Sequence, residues 1–205
     1  MTHLANARSF LTIATISTLL LACNSAPVAT YPSDWLAHQA QLQVLDKWEF
    51  RGRVNVRYDN ESHTPTINWL QQEQDYQVDL WGTFNSGRAE IVGRPGYVTL
   101  EQSGEIFSAN SPDEMILQQL GYELPVSLLS YWIKGLPDPN SDSKLQFNEL
   151  NQLVSFYQAG WSIDYDHYRQ YDSYTMPSTV VLTRTQDDIS LRFVRLSWTI
   201  DEDSF

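Results

Sequence analysis

The chain has 205 residues, with 25 acidic against 13 basic side chains and a formal net charge of −12 at pH 7. This acidic balance argues against a nucleic-acid partner, which requires a basic surface, and against a polybasic attachment to anionic lipid. Because Cys23 is the only cysteine, an intramolecular disulfide and a thiolate metal site are excluded, and stability has to come from packing.

The N-terminal segment is typical of a bacterial lipoprotein signal peptide. Arg8 provides a positive start, and the apolar run from Phe10 to Leu21 is too short to span a bilayer core of ~30 Å. The run ends in Leu-Leu-Ala-Cys, a lipobox. We expect residues 1–22 to be removed and Cys23 to carry a thioether-linked diacylglycerol and an N-linked acyl chain, with no other cofactor. The alternative is an ordinary signal peptide followed by an unused cysteine.

Residues 23–32 are predicted to form a flexible, lipid-anchored tether, because they are rich in serine, alanine, proline and threonine. Residues 33–205 follow as a single domain without an internal repeat or a second linker. Ser33 is predicted to cap a helix from about residue 34 to 46. In this helix Trp35, Leu42 and Leu45, together with Leu36 or Val44, form an apolar stripe. We expect this helix to lie against a sheet.

From Trp48 onward the hydrophobic period changes from that of a helix to that of a strand. Apolar residues alternate with charged and polar ones as far as Tyr58, which is typical of a strand with one buried face. Five further strands are predicted at 65–71, 75–81, 88–92, 97–101 and 105–108, separated by turn-forming pairs. We expect these strands to pair with their neighbours in sequence, as a meander.

Two short helices are predicted in the middle of the chain. Ser111 and Glu114 can form a capping box around a proline at the first helical position, and Gly121 can end this helix in a left-handed conformation. The second helix is predicted from about Pro125 to Gly135. The pair forms an apolar insertion between two groups of strands.

The rest of the domain returns to strands, predicted at 145–147, 152–158, 161–168, 179–184 and 189–200. In the last strand the alternation slips near Val194-Arg195, which indicates a β-bulge. About eleven strands and three helices are therefore predicted. The fold class is mainly β with some α, as a curved antiparallel sheet or unclosed barrel whose mouth the helices cover.

The sequence lacks the common motifs of catalysis, namely a nucleophile elbow, a P-loop and a dinucleotide fingerprint. His38, His63 and His167 are scattered without metal-ligand spacing, and the acidic residues around His167 are typical of a solvated strand face. The chain is predicted not to be an enzyme and to bind no metal. Its seven tryptophans either fill a β-rich core or line a cavity for an apolar ligand.

The segment from Trp81 to Gly87 places one large apolar residue, Phe84, in a loop of small and polar residues between two strands. An exposed phenyl ring forgoes ~1.5–3 kcal/mol of burial, so that loop tips are normally polar. Phe84 therefore either folds back onto the sheet or projects as a hydrophobic finger into a membrane or a lipid-carrying partner.

The sequence resembles the LolB family of outer-membrane lipoproteins in four places. They are the lipobox followed by Asn24, the stretch from Trp48 to Arg53, the strand–loop–strand segment from Tyr76 to Ile91, and the stretch from Tyr131 to Pro137, which follows a helix with Glu114-Met115. The resemblance covers nearly the whole chain after Cys23. The sequence Trp-Ile-Lys-Gly-Leu-Pro at 132–137 is its most specific part.

This resemblance implies an unclosed antiparallel β-barrel of the LolA/LolB type, with helices covering a cavity that takes acyl chains. It assigns Trp69, Trp132 and Trp161 to that cavity. In the family, the loop that matches Gly82–Gly87 carries a protruding leucine that assists membrane insertion, which favours the exposed interpretation of Phe84. The residue before Phe84 is a threonine instead of the family's proline, and this changes the expected rigidity of the loop.

The resemblance also implies a function. The protein is expected to be a lipid-anchored monomer on the periplasmic side of a Gram-negative outer membrane. The residue after the lipidated cysteine is Asn24 and not aspartate, and in this it resembles lipoproteins that are sorted to the outer membrane. It is expected to accept lipoproteins from a LolA-like periplasmic carrier, to hold their acyl chains, and to insert them into the inner leaflet of the outer membrane. Two alternatives are a binding protein for another apolar ligand or an envelope-assembly factor, and a hydrolase acting on lipid or glycan.

Overall fold

The computed structural model describes residues 32–83 and 87–200. The predicted signal peptide, the lipidated Cys23, the tether as far as residue 31, and Phe84 lie outside the described residues. These assignments, like the domain boundaries, stay predictions.

The described residues form one antiparallel sheet of twelve strands. The strands are β1 (Lys47–Tyr58), β2 (Glu61–His63), β3 (Thr66–Gln72), β4 (Asp75–Thr83), β5 (Gly87–Arg94), β6 (Tyr97–Gln102), β7 (Glu105–Ala109), β8 (Lys144–Phe147), β9 (Leu153–Gln158), β10 (Trp161–Tyr171), β11 (Tyr174–Arg184) and β12 (Ile189–Thr199). Their order is β7-β6-β5-β4-β3-β1-β12-β11-β10-β9-β8, and β2 pairs with β1 alone. Within residues 32–83 and 87–200 no pairing joins β7 to β8, so the sheet is open, as predicted.

Three helices accompany the sheet in the described part of the chain: α1 (Ser33–Gln43), α2 (Pro112–Leu120) and α3 (Val126–Trp132). Both α2 and α3 belong to the connection between β7 and β8, so the segment that links the two edges of the sheet is helical. None of these described helices has the length and apolar character needed to cross a bilayer. The predicted fold class, an open antiparallel sheet with helices, is confirmed.

One face of the sheet is buried by apolar side chains and the other is polar. In β1, Trp48, Phe50 and Val54 are buried, whereas the alternate residues Arg51 and Arg53 are exposed. The buried face of β5 and β6 packs under α2, where Met115 contacts a small group made of Ala89, Val98, Leu100 and Ala109. The apolar interior of the protein therefore lies on the buried face, between the sheet and the helices.

The prediction for α1 was wrong at both ends. The residue before the first turn is Pro32, and no side-chain hydrogen bond caps the helix, so Ser33 is the first helical residue and not the N-cap. The helix ends at Gln43, because the chain has to turn into β1: the amide of Leu45 donates to the carbonyl of Leu42, 3.3 Å away. The predicted stripe is confirmed for Trp35, Leu42 and Leu45, which are all buried, and wrong for Leu36 and Val44, which are both exposed.

Three strands differ from the prediction by more than two residues. One is β10, which continues to Tyr171 instead of ending at residue 168. The three-residue strand β2 was missed because its residues are polar and show no alternation with buried positions. Strand β11 begins at Tyr174 and not at residue 179, although Pro177 suggests a turn. The sheet accommodates this proline where the ladder is irregular: the neighbouring His167 has a φ of 55° and its carbonyl accepts a hydrogen bond of 2.6 Å from the Ser178 hydroxyl.

The predicted β-bulge in β12 is confirmed. The register between β1 and β12 shifts between Arg51 and Arg53, and Arg195 in the bulge has a φ of 57°. Opposite the bulge, a Cβ at Gly52 would lie 2.7 Å from the Leu196 Cδ2 atom and 3.0 Å from the Val194 carbonyl oxygen. A side chain at this point would force Leu196 and the bulged backbone to shift, so glycine lets the two strands approach closely.

The capping of α2 follows the sequence with one change. The hydroxyl of Ser111 accepts a 3.1 Å hydrogen bond from the amide of Glu114, and Gly121 ends the helix with a φ of 77°. The Glu114 carboxylate accepts a 2.9 Å hydrogen bond from the amide of Asn110, one residue before the N-cap. The helix start is thus fixed by its own sequence, as the capping box requires.

Candidate functional site

The three tryptophans that the resemblance assigns to a cavity are all buried between the sheet and the helices. Trp69, Trp132 and Trp161 are 4%, 0% and 1% exposed. The rings of Trp132 and Trp161 lie together, with centroids 6.5 Å apart, whereas Trp69 belongs to a separate group of rings. Their role in binding acyl chains stays a prediction.

A group of four rings, which we call the central aromatic cluster, occupies the middle of the buried face: Trp48, Phe50, Trp69 and Trp198. The ring of Trp69 lies 5.6 Å from that of Trp48 and 6.0 Å from that of Phe50, and the ring of Trp198 lies 5.1 Å from that of Phe50. These rings meet because β1 pairs with β3 on one side and with β12 on the other. The alternation in β1 could have identified Trp48 and Phe50; the contribution of β12 required the strand order.

A second group, the helix-side cluster, joins α3 to β9 and β10. It consists of Trp132, Phe156, Trp161 and Tyr165. The ring of Phe156 lies 6.3 Å from that of Trp132 and 5.9 Å from that of Tyr165. The Tyr165 hydroxyl donates a 2.6 Å hydrogen bond to the carbonyl of Trp132, and burial holds the pKa of Tyr165 well above its ordinary value. The tyrosine therefore stays neutral and fixes the end of α3 to the sheet.

The amide of Gln158 connects this cluster to the chain beyond α3. Its Oε1 accepts hydrogen bonds from the Trp132 indole N–H and the Asp138 amide, both 2.8 Å long. Its Nε2 donates to the carbonyls of Asp138 and Ser141, both at 2.9 Å. Gln158 is 1% exposed, so four hydrogen bonds satisfy a fully buried side chain. Sequence reasoning missed this residue, because glutamine at the end of a strand is normally solvated.

Sequence reasoning also missed Lys134, a buried cation between α3 and α1. Its ammonium group donates to the carbonyls of Leu42 and Leu45, at 3.1 and 2.8 Å, where α1 ends. The side chain is 6% exposed. Burial lowers the pKa of Lys134 from 10.5 to about 8, and the nearby Asp46 carboxylate opposes this shift. A lysine inside the apolar stretch from Trp132 to Leu136 was the available signal.

Lys134 predicts a pH dependence of stability. Because its pKa is about 8 when folded and 10.5 when exposed, the unfolded chain binds more protons between these values, and the free energy of unfolding rises with pH across this window. Between pH 7.5 and 10 we expect the wild type to gain about 2 kcal/mol relative to Lys134→Met, which lacks the titrating group. Urea unfolding at intervals from pH 7.5 to 10 measures both proteins, and parallel pH profiles would contradict the prediction.

Two cavities open beside the α2–α3 segment. One of about 380 Å³ is lined by Leu117, Leu124, Pro125, Trp161 and Arg184, together with acidic residues of the helices. The other, about 260 Å³, is lined by Val56, Tyr58, Leu120 and Tyr122, with polar residues of β2 at its rim. Trp161 belongs both to the first cavity and to the helix-side cluster. The first cavity therefore borders the helix-side cluster at the side of the helices.

Tyr76 connects the central aromatic cluster to α2. Its ring lies 6.0 Å from that of Trp69, and it crosses Gly93 so closely that a Cβ there would be 2.0 Å from a ring carbon. Its buried hydroxyl has no hydrogen-bond partner among the described residues. Burial, with the carboxylate of Asp113, raises the pKa of Tyr76 to about 12. The apolar interior thus contains one neutral hydroxyl that is free to bind a polar group.

Titratable groups do not converge on this interior in the manner of a metal or acid–base site. The described residues contain no group of three or more histidine, cysteine, aspartate or glutamate side chains that could hold a metal ion. His167 pairs with Asp166, the Nδ1 and Oδ2 atoms being 2.9 Å apart, with both side chains exposed. Adjacent residues of a regular strand point to opposite faces, and these two side chains meet because the positive φ of His167 interrupts the strand.

The loop that carries Phe84 begins after β4 and ends before β5. Phe84 lies outside the described residues, so its exposure stays a prediction. Trp81, at the end of β4, is described and is 41% exposed. The last residues of β4 therefore include an aromatic side chain that the core does not cover.

A family model described as "Outer membrane lipoprotein LolB" matches residues 46–198 of the chain. Proteins named "Outer-membrane lipoprotein LolB" from Pseudomonas putida and Pseudomonas fluorescens are 38% and 36% identical over 161 residues, which is 78% of this chain and 78% of each relative. A relative of the same name from Pseudomonas paraeruginosa is 38% identical over 158 residues, 77% of each chain.

Solved structures of lower sequence similarity share the fold. A domain from Vibrio parahaemolyticus, described as an outer membrane lipoprotein-sorting protein, superposes with a TM-score of 0.53 at 13% identity, over 82% of this chain and 94% of that one. A DUF1329 family protein from Desulfovibrio piger gives a TM-score of 0.52 at 7% identity, over 84% and 92% of the two chains. At these identities the likeness concerns the fold alone.

Proposed function

Because the chain belongs to the LolB family of outer-membrane lipoproteins, we propose that it accepts lipoproteins from a LolA-like periplasmic carrier and inserts them into the outer membrane. Family membership assigns the protein to lipoprotein transport and to the outer membrane of a Gram-negative bacterium, where it is held by lipid. Our proposal adds that acyl chains of the cargo occupy the buried face of the sheet, that the protein acts as a monomer, and that delivery is into the inner leaflet.

The observation that carries this proposal is the extent of the family match. It runs from residue 46 to 198, and so includes nearly the whole sheet, α2, α3 and both aromatic clusters. An interior lined by aromatic and aliphatic side chains, with cavities at the side of the helices, is suited to apolar ligands. The neutral Tyr76 hydroxyl could donate a hydrogen bond to a carbonyl oxygen where the acyl chain is attached to the cargo.

The free energy of moving acyl chains between proteins agrees with a function in which the protein binds its cargo and makes no covalent bond to it. Each methylene moved out of water contributes ~0.8 kcal/mol, so an acylated cargo cannot cross the periplasm exposed. An acceptor that binds the chains more tightly than the carrier, and less tightly than the bilayer, moves them forward without nucleotide. Since the two aromatic clusters occupy the buried face, Trp69 has to move away from its neighbours in one cluster, and Trp132 and Trp161 from theirs in the other, when an acyl chain enters.

A transfer assay tests this proposal. The mature chain, residues 23–205 with Cys23→Ala to remove the anchor, is mixed with carrier loaded with a lipoprotein, and the two complexes are separated and quantified. We expect the cargo to move to this protein, and then to liposomes on their addition. Cargo that stays on the carrier would contradict the proposal, and release of a shortened lipid product would favour the hydrolase alternative.

The loop carrying Phe84 gives a prediction that separates the two halves of the reaction. Phe84→Glu puts a charged side chain in place of a phenyl ring, whose burial in the bilayer contributes ~1.5–3 kcal/mol. We therefore expect the rate of delivery to liposomes to fall at least about tenfold, while acceptance from the carrier is retained. The measurement is the rate of each step in the transfer assay.

Two variants control this experiment. Phe84→Leu keeps an apolar side chain and should deliver like the wild type, and Asn85→Glu adds a charge to the same loop without removing the ring. Equal losses of acceptance and delivery in Phe84→Glu would instead place the ring in the interior of the protein.

A further inference from the structure

Although the chain has an acidic net charge, the polar face of the sheet carries a basic surface. Five exposed arginines lie on the adjacent strands β1 and β12, and we call them the arginine face: Arg51, Arg53, Arg57, Arg192 and Arg195. The register places Arg192 opposite Asn55 and Val194 opposite Arg53, with Arg195 following in the bulge. The arginines are therefore neighbours in space although the two strands come from opposite ends of the domain.

Few carboxylates neutralise this surface. Arg51 pairs with Glu49 at 3.2 Å and Arg57 pairs with Asp188 at 3.7 Å. Within residues 32–83 and 87–200, Arg53, Arg192 and Arg195 form no ion pair, and Arg53 donates only to the carbonyl of Thr64. Two acidic partners against five guanidinium groups leave a positive surface on an otherwise acidic protein.

Carboxylates two strands away on either side are also displaced from the arginines. On one side Arg51 lies opposite Asn68 of β3, which lies opposite Asp79 of β4. Asp79 is already paired with Arg88.

On the other side of the arginine face, Arg192 lies opposite Val181 of β11, which in turn lies opposite Asp164 of β10. Two strand spacings, about 10 Å in total, separate Asp164 from Arg192. This distance is comparable with the screening length at physiological ionic strength, so Asp164 does little to neutralise the surface.

The arginine face continues to Trp81 at the base of the Phe84 loop. Arg53 pairs with Thr66, and Thr66 pairs with Trp81, so these outward side chains form one row across β1, β3 and β4. The next member of the row, Arg88, is neutralised by the carboxylates of Asp79 and Glu90. The row therefore joins a basic surface to a 41% exposed indole near the end of β4.

This combination matches the headgroup region of a bilayer. Tryptophan is enriched at membrane–water interfaces, where one part of its ring is in contact with lipid and the N–H stays hydrated. A guanidinium group can donate two parallel hydrogen bonds to two oxygens of one phosphate, and anionic lipids attract basic surfaces. The rest of this acidic protein is repelled by the same lipids, so one orientation is favoured.

We propose that the arginine face and Trp81 form a docking surface for phospholipids with anionic headgroups. The surface holds the open sheet against the membrane in the orientation that presents the Phe84 loop to the bilayer. This inference rests on the proposed insertion function, because it assigns the membrane as the destination of that loop. An acidic protein partner would also attract arginines, but the continuity of the arginine face with Trp81 and the loop favours lipid.

Vesicle binding of the empty protein tests the docking surface without any transfer of cargo. The mature chain with Cys23→Ala is sedimented with vesicles of phosphatidylethanolamine and phosphatidylglycerol, and with vesicles of phosphatidylcholine alone. We expect binding to the anionic vesicles, weakened by salt. Each arginine removed should weaken it about fivefold, so that the triple variant Arg53→Ser, Arg192→Ser, Arg195→Ser loses about 100-fold.

A second triple variant controls for net charge. Arg94→Ser, Lys144→Ser and Arg169→Ser remove three exposed cations elsewhere on the described surface, and should leave vesicle binding within about twofold of the wild type. Trp81→Ala should weaken binding to both kinds of vesicle, because an indole contributes apolar contact whatever the headgroup. Circular dichroism and urea unfolding check that all variants are folded.

Three results would overturn the docking surface. The first is equal vesicle binding by the two triple variants. The second is equal binding of the wild type to anionic and neutral vesicles. The third is normal vesicle binding by the arginine variant together with reduced acceptance of cargo from the carrier. The last result would assign the arginine face to the carrier. Failure of the wild type to accept cargo in the transfer assay, with vesicle binding intact, would instead contradict the proposed function and leave the surface standing.

Discussion

Replacement of Gln158 with leucine is expected to lower the free energy of unfolding by about 3–5 kcal/mol, since each buried polar group left unpaired costs about 1–3 kcal/mol. Leucine has a similar size, so packing is largely kept. The indole N–H of Trp132, the amide and carbonyl of Asp138, and the carbonyl of Ser141 all lose their partner. Urea unfolding followed by tryptophan fluorescence and circular dichroism measures the loss.

A glutamine on the neighbouring strand provides the control. Gln146 in β8 is exposed and accepts a single hydrogen bond from the Ser155 hydroxyl. Gln146→Leu should change stability by less than ~0.5 kcal/mol. A loss of stability in Gln158→Leu as small as that in Gln146→Leu would contradict the prediction. It would mean that water replaces the four hydrogen bonds and that apolar contacts alone hold the end of α3.

Trp69→Ala is expected to destabilise the protein by about 3–5 kcal/mol, because it removes the largest kind of side chain from a packed region and leaves a cavity. The indole contacts the rings of Trp48, Phe50 and Tyr76. Its N–H also donates a 3.0 Å hydrogen bond to the Oε1 atom of Gln71, and the variant removes this donor. Urea unfolding again gives the measurement.

Trp81→Ala is the matched control for this prediction, since it removes the same side chain from the next strand. Its ring is substantially exposed and belongs to neither aromatic cluster, so the loss should stay below ~1 kcal/mol. Similar losses in the two variants would show that the central aromatic cluster is loosely packed. That result would also remove the need for its rings to separate before cargo enters.

Local patterns in the sequence were sufficient for much of the fold. The alternation from Trp48 to Tyr58 gives β1 and its buried face, because successive side chains of a strand point to opposite sides. Ser111 and Gly121 mark the ends of α2 through hydrogen bonds and backbone angles that involve only nearby residues. The slipped alternation near Arg195 likewise indicates the bulge without knowledge of the partner strand.

Predictions failed where a distant contact overrides the local signal. Pro177 suggests a turn, yet β11 continues through it because β10 pairs on one side and β12 on the other. The end of α1 is set by the turn into β1, close to the point where the ammonium group of Lys134 binds the carbonyls of Leu42 and Leu45. A lysine in an apolar stretch can be seen in the sequence, but its partners cannot.

The sequence by itself determined the open antiparallel sheet, the helical insertion and the family resemblance, because periodicity, caps and short motifs depend on residues close together in the chain. Only the tertiary structure decided which tryptophans meet, that Gln158 satisfies four buried groups, and that five arginines share one face. These features depend on strand order and register, which bring together residues that are far apart in the chain. Side-chain direction is a local property of the backbone, whereas the identity of a neighbour is set by the packing of the whole domain.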